Sequence, residues 1–246
     1  MSLLPVALIG AGCSGFTTAK RLRDAGIAFD WFEASDRIGG NWAYNNPNGM
    51  SSAYQSLHID TSKWRLQFEE YPVPADWPDF PHHSLIAQYF NDYVDHFGLR
   101  PLVQFETPVT EVKRRSDGHW DVTTQHGTRA YRAVVVANGH HWSPNRPVWE
   151  GLFDGAIIHA HDYRTPFQPL DLIGKRVLVV GLGNSAVDIA SELGQRSITE
   201  RCLVSTRRGV WVLPKYFNGV PADKQAAPPW LPLSLARWIG RRKVKQ

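Results

Sequence analysis

Two parts of the chain repeat one pattern of apolar and small residues. Each part opens with a short, uninterrupted apolar run, which is typical of a buried strand, and passes into a glycine-rich loop. A stretch compatible with a helix and a second strand pattern follow. These four segments fall at residues 6–9, 10–15, 16–25 and 29–33 in the first copy, and at residues 177–180, 181–186, 187 to about 193 and 202–205 in the second. The repeat predicts two β–α–β units.

The segment between the two copies has different patterns. Residues 72–81 hold four prolines and are expected to be irregular. A helix is predicted over 84–97, capped by Ser84, with one apolar face. Residues 103–137 alternate and carry turn residues, which indicates a small β-meander that ends in a continuous β-branched strand at 133–137.

These patterns place the chain in the α/β class, with two Rossmann-like dinucleotide-binding domains. We place the first domain, including the meander, at residues 1–145, a linker at 146–171, and the second domain at 172–246. The second has only two strand patterns, and a doubly wound domain needs more. It is therefore predicted to be incomplete.

Composition and charge narrow the range of functions. The 246 residues carry a net charge of +4, and the basic residues at 241–245 supply all of it. We therefore predict no nucleic-acid partner, because that needs a clustered basic surface within the fold. No apolar run could cross a bilayer, and the apolar and basic stretch at 230–245 gives no support for membrane contact. Two widely separated cysteines, Cys13 and Cys202, favour a cytoplasmic location.

The first glycine loop predicts a site for a dinucleotide. Gly10, Gly12 and Gly15 permit a tight turn and a close approach of backbone N–H groups to a pyrophosphate at a helix N-terminus. Glu33 ends the next strand 18 residues after Gly15, near the spacing of a carboxylate that bonds ribose hydroxyls. A free ribose, as in FAD or NAD, suits this site. The loop also contains Ala11, Cys13 and Ser14.

The second loop ends differently. Where the first unit has an acid, this unit has Thr206, Arg207 and Arg208. A carboxylate would repel a 2′-phosphate, whereas guanidinium groups can pair with it, so this site suits NADP. The candidate NADP-binding residues are Gly181, Gly183, Asn184, Ser185, Asp188, Thr206, Arg207 and Arg208. A flavin site followed by an NADP site would imply hydride transfer from nicotinamide to flavin.

Residues 153–163 resemble the FxGxxxHxxx(W/Y) fingerprint of class B flavoprotein monooxygenases. The fingerprint residues are Phe153, Gly155, His159 and Tyr163, and the end at Tyr163 is similar to the flavin-containing monooxygenase version. Further stretches similar to that family are Gly39–Trp42, Thr61–Lys63, Pro72–Pro74, Val136–His140, Gly183–Ser185 and Ser205–Gly209. The resemblance identifies the first cofactor as FAD and adds Gly40, Asn41, Trp42, Thr61 and Gly139 to its candidate residues.

This resemblance implies a reaction. NADPH would reduce FAD, O₂ would form a flavin C4a-hydroperoxide, and a soft nucleophile (an amine nitrogen or a sulfide sulfur) would take the distal oxygen. His159 is expected to organise the domains rather than transfer a proton. One alternative is a Baeyer–Villiger monooxygenase acting on a ketone, although that version of the fingerprint usually ends in Trp. The other is a truncated, inactive nucleotide-binding fragment. The partner is a small-molecule substrate in both enzyme readings, and the sequence predicts no oligomeric state.

One residue departs from the family pattern. Asp60 stands where relatives often carry an Asn whose amide can bond the flavin hydroperoxide and the nicotinamide ribose. An ionised carboxylate cannot donate that bond. We keep Asp60 as a catalytic candidate, on the hypothesis that burial holds it protonated. No metal site is predicted, because the ten histidines lack zinc-type spacing.

Overall fold

The computed structural model describes residues 3–225, 231, 232, 234, 235 and 238. Contacts divide the chain into a first unit, Met1–His58 with His82–Gly209, and a second unit, Ile59–Pro81 with Val210–Gln246. The domain boundaries predicted from the sequence follow the order of the motifs along the chain, whereas these units follow contacts in space. Those boundaries therefore stay a prediction. Most of the stretch at 230–245 lies outside the described residues. In the described part of the chain, no helix is long and apolar enough to span a membrane.

The structure contains both helices and strands, and each glycine loop lies between a strand and a helix, as in an α/β protein. The strands are β1 (Val6–Ile9), β2 (Phe29–Phe32), β3 (Val103–Gln104), β4 (Glu111–Arg114), β5 (Trp120–Thr124), β6 (Gly127–Tyr131), β7 (Ala133–Val136), β8 (Arg176–Val180), β9 (Arg201–Ser205), β10 (Tyr216–Phe217) and β11 (Val220–Pro221). The helices are α1 (Cys13–Asp24), α2 (Lys63–Leu66), α3 (His83–His96) and α4 (Asn184–Leu193), with 3-10 turns at Gly40–Trp42, Arg100–Leu102 and Ala222–Gln225.

A parallel sheet in the order β3-β2-β1-β7 forms the centre of the first unit. Ala7 of β1 pairs with Asp30 of β2 on one side and Val134 of β7 on the other. Ala7 and Leu8 are fully buried, as expected for a parallel strand covered on both faces. Because parallel strands end at one edge, this register brings the loops after β1, β2 and β7 together.

Two helices pack through aromatic side chains in the first unit. Phe16 of α1 contacts Phe90 and Tyr93 of α3 with ring centroids 5.0 and 5.1 Å apart. Burial of one such ring contributes about 1.5–3 kcal/mol. The predicted helix at 84–97 is thus present, but it begins one residue earlier. Its N-cap is His82 rather than Ser84, because the imidazole Nδ1 of His82 accepts the Ser84 N–H at 3.3 Å.

The segment at 103–137 contains an antiparallel sheet in the order β4-β5-β6, followed by β7 in the parallel sheet. The two sheets share an apolar cluster in which the rings of Phe32 and Tyr131 meet edge to face at 6.2 Å. The Tyr131 hydroxyl donates to Asp30 at 2.8 Å. This cluster attaches the meander to the central sheet.

The second glycine loop belongs to a smaller sheet in which β8 and β9 pair in parallel. Val177 and Val179 face the apolar cluster that contains α4. Leu178 and Val180 point the other way and are 59% and 58% exposed. In the described residues this sheet has two strands and one covered face.

The second unit is held by polar contacts between distant segments. Asp223 accepts the Ser62 N–H at 2.6 Å, and its carbonyl accepts the Arg65 guanidinium at 2.7 Å. The Lys63 ammonium, which is buried, donates to carbonyls of the proline-rich segment, including Ala75 at 2.7 Å. The predicted irregular segment at 72–81 therefore supplies backbone acceptors to a buried charge.

Candidate functional site

The loop after β1 has a conformation that requires glycine. Gly10 has φ +102°, and a Cβ there would lie 2.4 Å from the Ala137 carbonyl oxygen. A Cβ on Gly15 would lie 1.9 Å from the Gly10 carbonyl oxygen. No side chain fits at such distances, so both glycines allow the strand, the turn and α1 to pack closely.

A second glycine segment approaches the same loop. Gly40 has φ +56°, and a Cβ there would lie 3.1 Å from the Gly12 Cα. Nearby, the Gly39 N–H donates to the Ala11 carbonyl at 3.1 Å. Gly12 is also the N-cap of α1, which has no side-chain cap and no acidic residue in its first turn. The resulting cradle has a backbone surface at the positive end of a helix, which suits an anion such as a pyrophosphate.

Glu33 lies directly after β2 and is fixed against this loop. Its carboxylate accepts the Ala11 N–H at 2.6 Å and the Ser35 N–H at 2.7 Å. Desolvation raises the pKa of Glu33, and the backbone donors oppose that shift. The predicted ribose-binding carboxylate is therefore beside the glycine cradle.

The other candidate FAD residues of the first unit surround the same edge of the sheet. Asn41 and Trp42 are half-buried in the 3-10 turn after Gly39, and the Asn41 side-chain oxygen accepts the Ser52 N–H at 2.9 Å. Cys13 and Ser14 are exposed in the first turn of α1. Gly139 is exposed after β7, with φ +74°.

Asp60 and Thr61 belong to the second unit. Both are exposed, in the segment that precedes α2. The burial on which a protonated Asp60 depends is therefore absent from the structure. Its assignment as a catalytic residue stays a prediction.

The second glycine loop has free space around its glycines. Gly181 has φ +112°, and Gly183 is the N-cap of α4. A Cβ on either glycine would meet nothing within 4 Å. Asn184 and Ser185 are exposed in the first turn of α4. The start of this helix is thus accessible to a ligand.

The segment after β9 carries the predicted basic residues. The Thr206 hydroxyl donates to the Arg208 carbonyl at 2.5 Å and accepts the Arg208 N–H at 3.3 Å, which forms a compact turn. The side chains of Arg207 and Arg208 are exposed, and within the described ranges neither guanidinium has an acidic partner. Both guanidinium groups are available to an anion.

Asp188 has a packing contact that the sequence did not indicate. It lies in the middle of α4, is half-buried, and accepts the Tyr54 hydroxyl at 2.7 Å. This hydrogen bond therefore joins α4 to a residue 134 positions earlier in the chain.

The four fingerprint residues have different environments. Phe153 is 70% exposed and Gly155 is exposed, whereas His159 is half-buried and accepts the His161 N–H through its Nδ1 at 3.0 Å. Tyr163 is 2% exposed, and its hydroxyl donates to Glu192 of α4 at 2.7 Å. Burial and the adjacent Glu192 raise the pKa of Tyr163, so the phenol remains a donor. Through Tyr163, the fingerprint therefore contacts α4, the helix that follows the second glycine loop.

Several contacts around Tyr163 were missed by the sequence analysis. Tyr54, Ser56 and Glu192 take part in them, and nothing in their local patterns marks them. The one available signal is the spacing of Asp188 and Glu192, which places both carboxylates on one face of a helix. Across the described positions, no group of three His, Cys, Asp or Glu side chains could hold a metal ion.

Comparison with known proteins gives a consistent assignment. Residues 4–228 match the family described as flavin-binding monooxygenase-like. Rat flavin-containing monooxygenase 5 is 38% identical over 89% of this chain and 43% of its own length. Rat dimethylaniline monooxygenase (N-oxide-forming) 2 is 37% identical over 98% of this chain and 48% of its own. The chain spans about half the length of these relatives.

Solved structures show the same relationship. The S-allyl-L-cysteine S-oxygenase from Allium sativum matches 89% of this chain and 54% of its own, with a TM-score of 0.75 and 28% identity. A closed cyclohexanone monooxygenase matches 87% of this chain and 40% of its own, with a TM-score of 0.68 and 27% identity. A steroid monooxygenase bound to NADP also matches, with a TM-score of 0.66.

Proposed function

Because the chain belongs to the flavin-binding monooxygenase-like family, we propose that it contributes the FAD site and the adjoining NADPH-binding segment of a monooxygenase. The substrate class we propose is a small amine or sulfide, oxygenated at nitrogen or sulfur with O₂ as co-substrate. One observation carries the assignment of the two cofactors. The two strand–glycine–helix loops are followed by opposite charges, Glu33 in one and the segment Thr206–Arg208 in the other.

The first site supports FAD through the fit of its residues. The backbones of Gly12 and Gly40 leave room that a Cβ would fill, at the N-terminus of α1. Glu33 is held by two backbone donors beside this cradle, with lone pairs left for ribose hydroxyls. The residues present therefore suit a pyrophosphate and an unphosphorylated ribose.

The second site supports NADPH. Gly183, Asn184 and Ser185 present backbone donors at the start of α4, and Arg207 and Arg208 offer two cations for a 2′-phosphate. Bound flavin supplies the electron transfer and oxygen chemistry of such an enzyme. The chain itself would hold the two cofactors, orient them and limit the entry of water.

The proposed substrate class rests on Tyr163 and on relatives named for N-oxide and S-oxygenase activities. A Baeyer–Villiger reaction on a ketone is the second candidate, and the similarity to cyclohexanone monooxygenase favours it. The third candidate is a nucleotide-binding chain without turnover, because the sheet of β8 and β9 has only two strands in the described residues. The free thiols of Cys13 and Cys202 fit the reducing cytoplasm that we propose as its location.

A visible absorption spectrum tests this proposal. The purified chain is incubated with FAD, desalted, and mixed anaerobically with NADPH or NADH. We expect flavin bands that bleach faster with NADPH. Oxidation of a sulfide but not of a ketone would favour the first candidate over the second. A chain that retains no flavin but still binds NADPH would identify the third, and a chain that binds neither would overturn the proposal.

A further inference from the structure

Two buried tyrosine hydroxyls hold one face of α4. The Tyr54 hydroxyl donates to Asp188 and the Tyr163 hydroxyl donates to Glu192, each at 2.7 Å. Ser56 adds a third donor to Glu192 at 3.0 Å. The two acceptors are four residues apart, so they lie on the same side of the helix.

The same tyrosines pack against the apolar residues of α4. Tyr54, Tyr163, Ile189 and Leu193 form one cluster, and each is between 1% and 6% exposed. The two tyrosine rings meet edge to face, with centroids 6.1 Å apart. The helix is therefore held at its middle and end, while its first turn stays open to solvent.

The segment that carries Tyr54 is also bonded to the first cofactor site. Asn41 accepts the Ser52 N–H and hydroxyl at 2.9 and 2.8 Å, and its carbonyl accepts the Ser51 hydroxyl at 2.6 Å. On the linker side, Arg164 donates to the Ser51 carbonyl at 2.9 Å, and its own carbonyl accepts the Gln55 N–H at 2.8 Å. Residues 51–56 thus connect the loop after Gly40 with α4 through short hydrogen bonds.

We propose that Tyr54 and Tyr163 are positioning residues that fix the orientation of the first turn of α4 relative to the proposed FAD site, to which residues 51–56 are bonded at Asn41. This inference rests on the proposed function, because the turn is where NADPH would be held. Neither tyrosine needs to touch a cofactor. Their hydroxyls fix the angle at which the helix N-terminus presents a bound dinucleotide, and a displacement of about 1 Å can slow a transfer reaction on the order of a hundredfold.

The test uses the FAD-loaded full chain and its Tyr54→Phe, Tyr163→Phe and double variants. These substitutions keep the ring packing and remove only the donors. Glu192→Gln is a second kind of variant, since its amide oxygen can still accept the Tyr163 hydroxyl. Tyr131→Phe is a matched control, because Tyr131 is equally buried and also donates to a carboxylate, that of Asp30, away from α4.

Anaerobic rapid-mixing experiments separate NADPH affinity from the rate of flavin bleaching at saturation. We expect the double variant to lower the saturated rate roughly tenfold to a hundredfold, with the apparent Kd for NADPH changed less than about threefold. Tyr131→Phe should change neither quantity, and Glu192→Gln should keep most of the rate. A merely structural role would lower stability in all tyrosine variants without separating rate from affinity.

Amide hydrogen exchange of the chain without cofactor gives an independent readout. We expect faster exchange across residues 184–193 in the double variant but not in Tyr131→Phe. Unchanged exchange there, or an unchanged saturated rate, would overturn the positioning role while leaving the proposed function in place. If the wild-type chain itself is not bleached by NADPH, the proposed function fails, and the positioning role fails with it.

Discussion

The carboxylate of Glu33 accepts the backbone N–H of Ala11 across a 2.6 Å hydrogen bond, so the protein itself joins the end of β2 to the loop after β1. A second bond, from the Ser35 N–H at 2.7 Å, fixes the other carboxylate oxygen. The geometry leaves little rotational freedom to the side chain. A dinucleotide would therefore meet a preorganised acceptor, which lowers the entropy cost of binding.

Glu33→Gln is expected to weaken FAD binding roughly tenfold to a hundredfold, the range of one charged hydrogen bond of about 1.5–3 kcal/mol. The amide keeps the size of the side chain but has one acceptor where the carboxylate has two. Equilibrium titration of the apo chain with FAD measures the change. Asp36→Asn is the control, because Asp36 is exposed and paired with Arg37. Equal affinities of wild type and Glu33→Gln would remove Glu33 from the site.

Gly15→Ala should destabilise the protein by about 3 kcal/mol or more, because overpacking of this severity forces backbone movement. The added Cβ would lie 1.9 Å from the Gly10 carbonyl oxygen, and backbone cannot rotate away as a side chain can. Urea denaturation measures the free energy of unfolding. Gly209→Ala serves as the control, since its Cβ would meet nothing within 4 Å. A similar small effect at both positions would contradict the close packing at Gly15.

Local sequence signals predicted the first β–α–β unit well. Each of its signals is local in the sequence. The apolar run Val6–Ile9 forms β1, the glycines form the loop after it, and Glu33 makes the carboxylate contact with that loop. Helix α3 was also predicted from its apolar period, with an error at the N-cap. That error arose because the capping acceptor is the His82 imidazole rather than the Ser84 hydroxyl, and Ser84 donates its N–H to that imidazole.

Long-range contacts could not be predicted in the same way. The Tyr54–Asp188 bond joins residues 134 positions apart, and Ser62–Asp223 joins residues 161 apart. In each case the partner is determined by how whole helices and strands pack. A short stretch of a single sequence carries no signal for that packing. Asp188 was a candidate NADP-binding residue and stays one, but the bond that its carboxylate accepts from the buried Tyr54 hydroxyl was not predicted.

His83 should make the fold sensitive to acid. Burial, together with His82 and His58, lowers the pKa of His83 from 6.5 to about 4. The unfolded chain therefore binds more protons between these values, so stability is full above pH 6.5 and is lost as pH falls toward 4. His83→Gln should reduce that loss by about 1–3 kcal/mol in denaturation measured across this window.

The matched control for His83 is His126→Gln, which changes an exposed histidine in the meander. It should leave the acid dependence of wild type intact. The side chain of His83 packs beside Tyr44, with ring centroids 5.0 Å apart, so a packing defect alone would shift stability equally at all pH values. A uniform shift in His83→Gln would therefore contradict the titration argument.

Arg207 and Arg208 should decide which nicotinamide cofactor is used. Both residues follow β9, the second strand of the second β–α–β unit, where a ribose 2′-phosphate is expected, and their guanidinium groups are exposed. Replacing both with Ala should raise the Kd for NADPH roughly tenfold to a hundredfold, because charge-assisted hydrogen bonds of about 1.5–3 kcal/mol are lost. NADH carries no 2′-phosphate, so its Kd should change little.

Parallel titrations of NADPH and NADH, monitored by tryptophan fluorescence, measure this preference. Arg115→Ala is the control, since Arg115 is exposed in the meander and paired with Asp117 and Asp121. The preference should also weaken with added salt, because exposed charges are screened. If the double variant loses affinity for NADPH and NADH equally, the arginines stabilise the loop and do not bind the 2′-phosphate. The preference for NADPH would then arise from other residues.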